Sequence, residues 1–163
     1  VRGGTIAVAD GSCTISPDTG DRSSITLKNK EDLGTVSKII FQARVKRLMD
    51  GNADCYIGLG DGYDPIDEYI AWYGGGPTEW FPKTDDGSPS TGTNVPMTEE
   101  TWITFNIVAD STGADFYLNN VFRERITSNI STANLGAFFW ISNGAGQSGG
   151  YVEVDWMTLE FER

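Results

Sequence analysis

The sequence contains no histidine and only two cysteines. The lack of histidine excludes Ser-His-Asp triads, histidine general bases and histidine-ligated zinc. The two cysteines, Cys13 and Cys55, leave two alternatives open. They form one disulfide bridge, or they remain two buried thiols that act as small apolar side chains.

Positive charge is also scarce. Lys and Arg number 12 against 23 Asp and Glu, so the formal net charge is −11. Nucleic acid and anionic membrane surfaces attract basic proteins, and both partners are therefore disfavoured. No apolar run is long enough to cross a bilayer, so we expect no membrane insertion. The sequence starts at Val1 without a basic-then-apolar leader, and we expect a processed product or a domain of a longer protein.

Aromatic and apolar residues are plentiful, and in residues 102–119 they alternate with polar ones. Ile103, Phe105, Ile107 and Ala109 fall on one face of an extended chain. A turn signal, residues 110–113, follows them. The segment therefore predicts a hairpin that continues into a third strand after Asn119-Asn120.

The same period of two recurs through most of the chain, and we predict eleven or twelve short strands and no helix of ordinary length. This pattern predicts an all-β fold, a two-sheet antiparallel β-sandwich formed by one domain over residues 1–163. The apolar phase of the last strand changes midway. We therefore predict a β-bulge near Trp156-Met157.

Several segments resemble the concanavalin A-like lectin/glucanase superfamily. They are the 102–119 hairpin, the closing strand Tyr151-Val-Glu-Val-Asp-Trp156, and residues 38–46 followed by 55–59. The resemblance implies a concanavalin A-like jelly roll of the lectin or laminin-G-like type. It also implies glycan or polysaccharide binding by an extracellular protein.

Glu153 and Asp155 resemble part of the catalytic strand of family-16-type glucanases. Those enzymes carry a third carboxylate two or three residues further on, where this sequence has Met157 and Thr158. Retaining hydrolysis needs two carboxylates on one strand face. Because the set is incomplete, we predict no catalytic residue and regard a glucanase-like hydrolase or lyase as the least favoured function.

The candidate ligand-binding residues are aromatic. Tyr73 and Trp80 flank the Gly74-Gly-Gly-Pro77 break, where exposed ring planes are expected to stack on sugar rings, whereas Trp72 and Phe81 fit an ordinary core. Trp140 is expected on the outer face of its strand. The outward polar residues that we expect on the same surface are Gln42, Arg44 and Asn106.

Acidic residues crowd one loop. Two alternatives are open for this loop: a calcium site, because carboxylate and carbonyl oxygens are the ligands that calcium prefers, or a solvated acidic loop without a metal. The candidate ligands are Asp61, Asp64, Asp67 and Glu68. The segment from Asp50 to Asp61 begins like an EF-hand loop, but Cys55 occupies the sixth position, where such a loop needs glycine, so an EF-hand is excluded.

Together these features favour a non-catalytic, lectin-like carbohydrate-binding module outside the cell or on a surface, including a virion surface. The alternative is a structural or attachment domain of a virion, fibre or secreted surface protein with no sugar site. The sequence leaves the glycan and the oligomeric state open.

Overall fold

The computed structural model describes residues 2–9, 11–26, 30–49, 53–61, 68–76, 78–131, 133–143 and 150–163, with the main chain alone for 2–9, 18–22 and 26. All regular structure in these residues is β-strand. None of them forms a helix that could cross a membrane.

Fourteen strands follow one another along the described chain. Their bounds are β1 (Arg2–Ala9), β2 (Ser12–Thr26), β3 (Glu31–Asp32), β4 (Lys38–Leu48), β5 (Asp54–Gly60), β6 (Glu68–Gly74), β7 (Glu79–Asp86), β8 (Ser90–Thr91), β9 (Val95–Pro96), β10 (Ile103–Asp110), β11 (Gly113–Leu118), β12 (Val121–Ile126), β13 (Asn134–Ser142) and β14 (Tyr151–Glu162).

The strands form two antiparallel sheets that pack as a jelly-roll sandwich, which confirms the predicted fold class. The hydrogen-bonded order is β12-β11-β10-β4-β14-β2-β13-β5-β6-β7-β8. β2 belongs to both sheets, because residues 13–15 pair with β14 and residues 22–26 pair with β13. We call β12, β11, β10, β4 and β14 the back sheet. The front sheet comprises β13, β5, β6, β7 and β8.

Apolar side chains from both sheets meet in one core. In β4 the odd-numbered residues from Ile39 to Val45 are buried, while the even-numbered ones are half-buried on the other face. From the front sheet, Trp72 and Trp80 contact Phe105 with ring centroids 6.0 and 4.6 Å away. The period of two thus places the two sheets face to face.

The β10–β11 hairpin forms as predicted. Asp110 pairs with Gly113, and its carboxylate accepts a hydrogen bond from the Thr112 main-chain N–H at 2.7 Å. Hydrogen bonds from Thr112 and Arg125 lower the pKa of Asp110 to about 2. Asn119 and Asn120 adopt φ values of 50° and 63°, which asparagine tolerates in tight turns.

The predicted bulge in the last strand is confirmed. Val154 pairs with Val45 and Trp156 with Arg44, so Asp155 is the extra residue between them. Even-numbered Val152 and Val154 face the core before the bulge. After it the odd-numbered residues Met157, Leu159 and Phe161 pack against the core.

Both cysteines are free thiols, so the disulfide alternative is wrong. Cys55 is fully buried in the core, whereas Cys13 is half-buried at the core margin. Burial raises the pKa of Cys55 to about 12, and it also raises that of Cys13. The thiols therefore act as small apolar side chains.

Candidate functional site

Four aromatic side chains form a row across the outer face of the front sheet. Trp140 on β13 is level with Tyr56 on β5, which is level with Tyr73 on β6 and then Phe81 on β7. Successive ring centroids lie 5.4, 4.8 and 6.3 Å apart. Side chains that are level on neighbouring strands share a face, so the registers bring residues from four strands together. We call these four residues the aromatic row.

Strand alternation explains why the row faces outwards. The residues adjacent to it in sequence, among them Ile57, Trp72, Trp80 and Ile141, are fully buried in the sandwich core. The side chains of the row therefore point to the opposite side, where all four remain half-buried.

Two small residues lie beside the row. Gly58 and Ala71 are paired there, between Phe138 and Lys83. A Cβ on Gly58 would lie 2.5 Å from the Ile70 carbonyl oxygen, so close packing of β5 and β6 excludes a side chain.

Three polar groups accompany the rings. The Lys83 ammonium lies 3.6 Å from the Tyr73 ring centroid, and burial lowers its pKa. The Tyr73 hydroxyl donates a hydrogen bond to Asp54 at 2.6 Å. Asp85 is level with Tyr69 at the far end of the face. The face thus combines apolar rings with hydrogen-bond donors and acceptors.

The phenols of this face stay protonated and uncharged at neutral pH. Burial raises the pKa of Tyr56, Tyr69 and Tyr73, and the carboxylates of Asp54 and Asp85 raise it further. Each hydroxyl can therefore both donate and accept hydrogen bonds.

A buried arginine supports the turn that joins the two strands at one end of the row. Arg47 Nη2 donates to the carbonyl oxygens of Gly76 and Glu79 at 2.8 and 2.9 Å, while its guanidinium lies 4.1 Å from the Trp80 ring centroid. A Cβ on Gly74 would lie 1.9 Å from Arg47 Nη1. Glycine at this position leaves room for the guanidinium.

The structure places two of the three predicted aromatic ligand residues on one surface. Tyr73 and Trp140 do lie together there. Trp80 does not, since its indole is 0% exposed in the core, and the expectation of an exposed ring there is wrong. Trp72 is core as expected, whereas Phe81 lies half-exposed in the row instead of in the core.

The three predicted polar residues lie on the opposite side of the molecule. Gln42 and Asn106 are paired on the outer face of the back sheet, and Arg44 bonds Asp155 there at 2.7 Å. The expectation that they share a surface with the aromatic residues is wrong, because β4 and β10 belong to the other sheet.

The glucanase-like carboxylates also lie on the back sheet. Glu153 contacts Lys46 at 2.6 Å and accepts a hydrogen bond from Ser12, while Asp155 pairs with Arg44. Lys46 and Ser12 lower the pKa of Glu153. Both groups thus act as ion-pair partners on the face opposite the aromatic row.

Two of the four predicted calcium ligands, Asp64 and Asp67, lie outside the described residues. Asp61 Oδ1 accepts the main-chain N–H of Glu68 at 3.3 Å, and the Glu68 carboxylate accepts a hydrogen bond from Ser131. The described part of the chain has no group of three or more acidic, cysteine or histidine residues placed to hold a metal. The calcium site stays a prediction.

Sequence reasoning missed Tyr56, Lys83, Asp54 and Asp85. Alternation within β5 gives a local signal, because Tyr56 lies between the buried Cys55 and Ile57. The decisive information is long-range pairing of β5 with β13 and β6, which no local pattern carries.

Comparison with known proteins rests on structure alone, since no family model and no curated protein matches the sequence. The structure of a native glycosidic hydrolase is similar, with a TM-score of 0.75 at 12% identity, and the match covers 96% of this chain and 80% of that one. The carbohydrate recognition domain of Emp47p has a TM-score of 0.73 at 11% identity, covering 100% and 88%.

A third similar structure is carbohydrate binding module CBM66 from Bacillus subtilis. Its TM-score is 0.68 at 11% identity, with 98% of this chain and 94% of that one covered. At identities this low, the similarity shows a shared concanavalin A-like fold alone, and function has to be argued from the residues of the site.

Proposed function

We propose that this concanavalin A-like domain binds a glycan on the outer face of its front sheet, without cleaving it, outside the cell or on a surface. The observation that carries the proposal is the aromatic row. Four half-buried rings on four adjacent strands form an aromatic surface with polar groups beside it.

The chemistry of the row suits a sugar. The C–H face of a pyranose packs on an aromatic plane, while its hydroxyls need both donors and acceptors. Lys83 supplies a donor, Asp54 and Asp85 supply acceptors, and the phenol oxygens supply further acceptors. The similar structures of a carbohydrate recognition domain and of a carbohydrate-binding module support the proposal.

The carboxylate geometry of the face favours binding over hydrolysis. Asp54 begins β5, whereas Asp85 is level with Gly60, the residue that ends β5 two strands away. Strand geometry puts their Cα atoms roughly 20 Å apart. Glycosidases hold their two carboxyl groups about 5–9.5 Å apart, so these two do not form such a pair.

The test is Trp140→Ala on an array of neutral and acidic glycans, with affinities measured by calorimetry. Loss of one stacked ring should cost about 2 kcal/mol of binding, or about thirtyfold in affinity. Trp140 is the end of the row and is partly exposed, so its removal should leave the fold intact.

The matched control is Trp156→Ala, because Trp156 is 39% exposed on the back sheet. It should bind like the parent protein. Equal affinity of Trp140→Ala and the parent would remove the aromatic row from the proposal. A parent that binds no glycan would favour the attachment-domain alternative.

We also retain the calcium prediction for the loop from Asp61 to Glu68. A cation bound to the folded state alone stabilises it by mass action. Millimolar calcium, added after chelator treatment, should therefore raise the melting temperature, and an unchanged melting curve would contradict the prediction.

A further inference from the structure

Lys83 is the central cation of the proposed binding face. Its Nζ lies 3.6 Å from the Tyr73 ring centroid and 6.0 Å from that of Tyr56, between the two ends of the aromatic row. Among the described side chains of this face it is the one cation. It donates no hydrogen bond to the described residues and forms no ion pair with them. Its N–H groups are therefore free to donate to a ligand.

The charges around Lys83 are negative. Asp54 and Asp85 both act on it electrostatically. One ammonium against two carboxylates leaves the face with a negative excess, and the whole chain carries −11. A ligand carboxylate placed beside Lys83 meets one attraction and two repulsions, in surroundings where burial weakens screening. A ligand hydroxyl accepts the same hydrogen bond without that repulsion.

Lys83 also decides which rings are open to stacking. Its ammonium covers the face of Tyr73, while Trp140 and Phe81 hold the two ends of the row. A sugar chain that stacks on either end and continues along the row passes Lys83. The lysine is thus placed to donate a hydrogen bond to a substituent of the bound sugar.

We propose that the face selects uncharged glycans over acidic ones because Asp54 and Asp85 repel a ligand carboxylate, and that Lys83 binds the uncharged ligand by donating a hydrogen bond to one of its hydroxyl or ring oxygens. This inference rests on the proposed glycan-binding function. It adds the chemical class of the ligand and the group that reads it.

The test uses an array of matched pairs, each neutral oligosaccharide beside its carboxylate-bearing counterpart, with hexose against hexuronate chains and lactosamine against its sialylated form. We expect the neutral member to bind about tenfold more tightly than the acidic one. High salt and Asp85→Asn should each reduce this ratio of affinities. A carboxylated member that binds as tightly as its neutral partner would overturn the inference. A protein that binds no member of any pair would refute the proposed function instead.

Two variants examine Lys83 itself. Lys83→Met keeps the aliphatic cover but removes the donor, and it should lose about tenfold in affinity for the neutral ligand. Lys83→Gln, which retains an N–H donor, should recover part of that loss. Lys38→Met, which removes an exposed lysine paired with Glu162 on the back sheet, is the control and should bind normally. Unchanged affinity of a folded Lys83→Met protein would refute the role of Lys83.

Discussion

Trp80→Ala should lower the free energy of unfolding by about 3–5 kcal/mol, the cost of deleting a large aromatic ring from a packed core. Trp80 is 0% exposed, and its ring centroid lies 4.6 Å from that of Phe105 in the facing sheet. The Arg47 guanidinium, 4.1 Å from the same ring, would lose its aromatic neighbour as well. The cavity would therefore border a buried cation, which worsens the loss.

Urea unfolding of Trp80→Ala and Trp156→Ala makes the comparison direct, because both remove an indole. Trp156 is 39% exposed, so its removal should cost less than about 1 kcal/mol. If the two variants unfold at the same urea concentration, Trp80 is not a core residue and the described packing is wrong.

Gly58→Val should lower the free energy of unfolding by about 3 kcal/mol, at the upper end of the cost of overpacking. A Cβ at this position would lie 2.5 Å from the Ile70 carbonyl oxygen and 2.7 Å from the Ala71 Cα. These are main-chain atoms, which no rotamer change can move away. β5 and β6 must separate, and Tyr56 and Tyr73 must separate with them.

Thr104→Val is the matched control, since it places the same side chain on a half-buried outer position of β10 in the back sheet. We expect it to unfold like the parent protein, because valine suits a strand. Gly58→Val should also bind the proposed glycan more weakly than the parent even below its melting temperature. Parent-like stability of Gly58→Val would contradict the described approach of β5 to β6.

The sequence predicted the strands whose two faces differ most in polarity. In β4 and β10 a buried apolar residue alternates with a half-buried, mostly polar one, so the strands and their inward faces could be read directly. The change of phase in β14 likewise predicted the bulge. Each of these features lies within a single strand, where local pattern suffices.

The site was harder to predict, because β7 has no apolar stripe. Its inward residues are Trp80, Pro82 and Thr84, and its outward residues include Phe81 and Lys83. Both faces mix apolar and polar side chains, so the alternation did not show whether Trp80 or Phe81 was the buried residue. Thr84 is tolerated inside because its hydroxyl donates to the Ser128 carbonyl oxygen at 2.8 Å.

Sheet membership was the other missing piece. β4 and β5 follow each other in the chain but lie in different sheets. Arg44 and Tyr56, both outward on their strands, consequently face opposite sides of the molecule. Only the long-range pairing partners of a strand decide such a question, and one sequence does not reveal them.

The position of β14 between β4 and β2 has a consequence for biosynthesis. Val154 pairs with Val45 on one side and with Cys13 on the other, so β14 completes ladders begun more than a hundred residues earlier. While the ribosome makes the intervening chain, one edge of β4 and one edge of β2 lack this partner. Such non-local closure is slow, and until β14 has left the ribosome these strand edges stay open to aggregation.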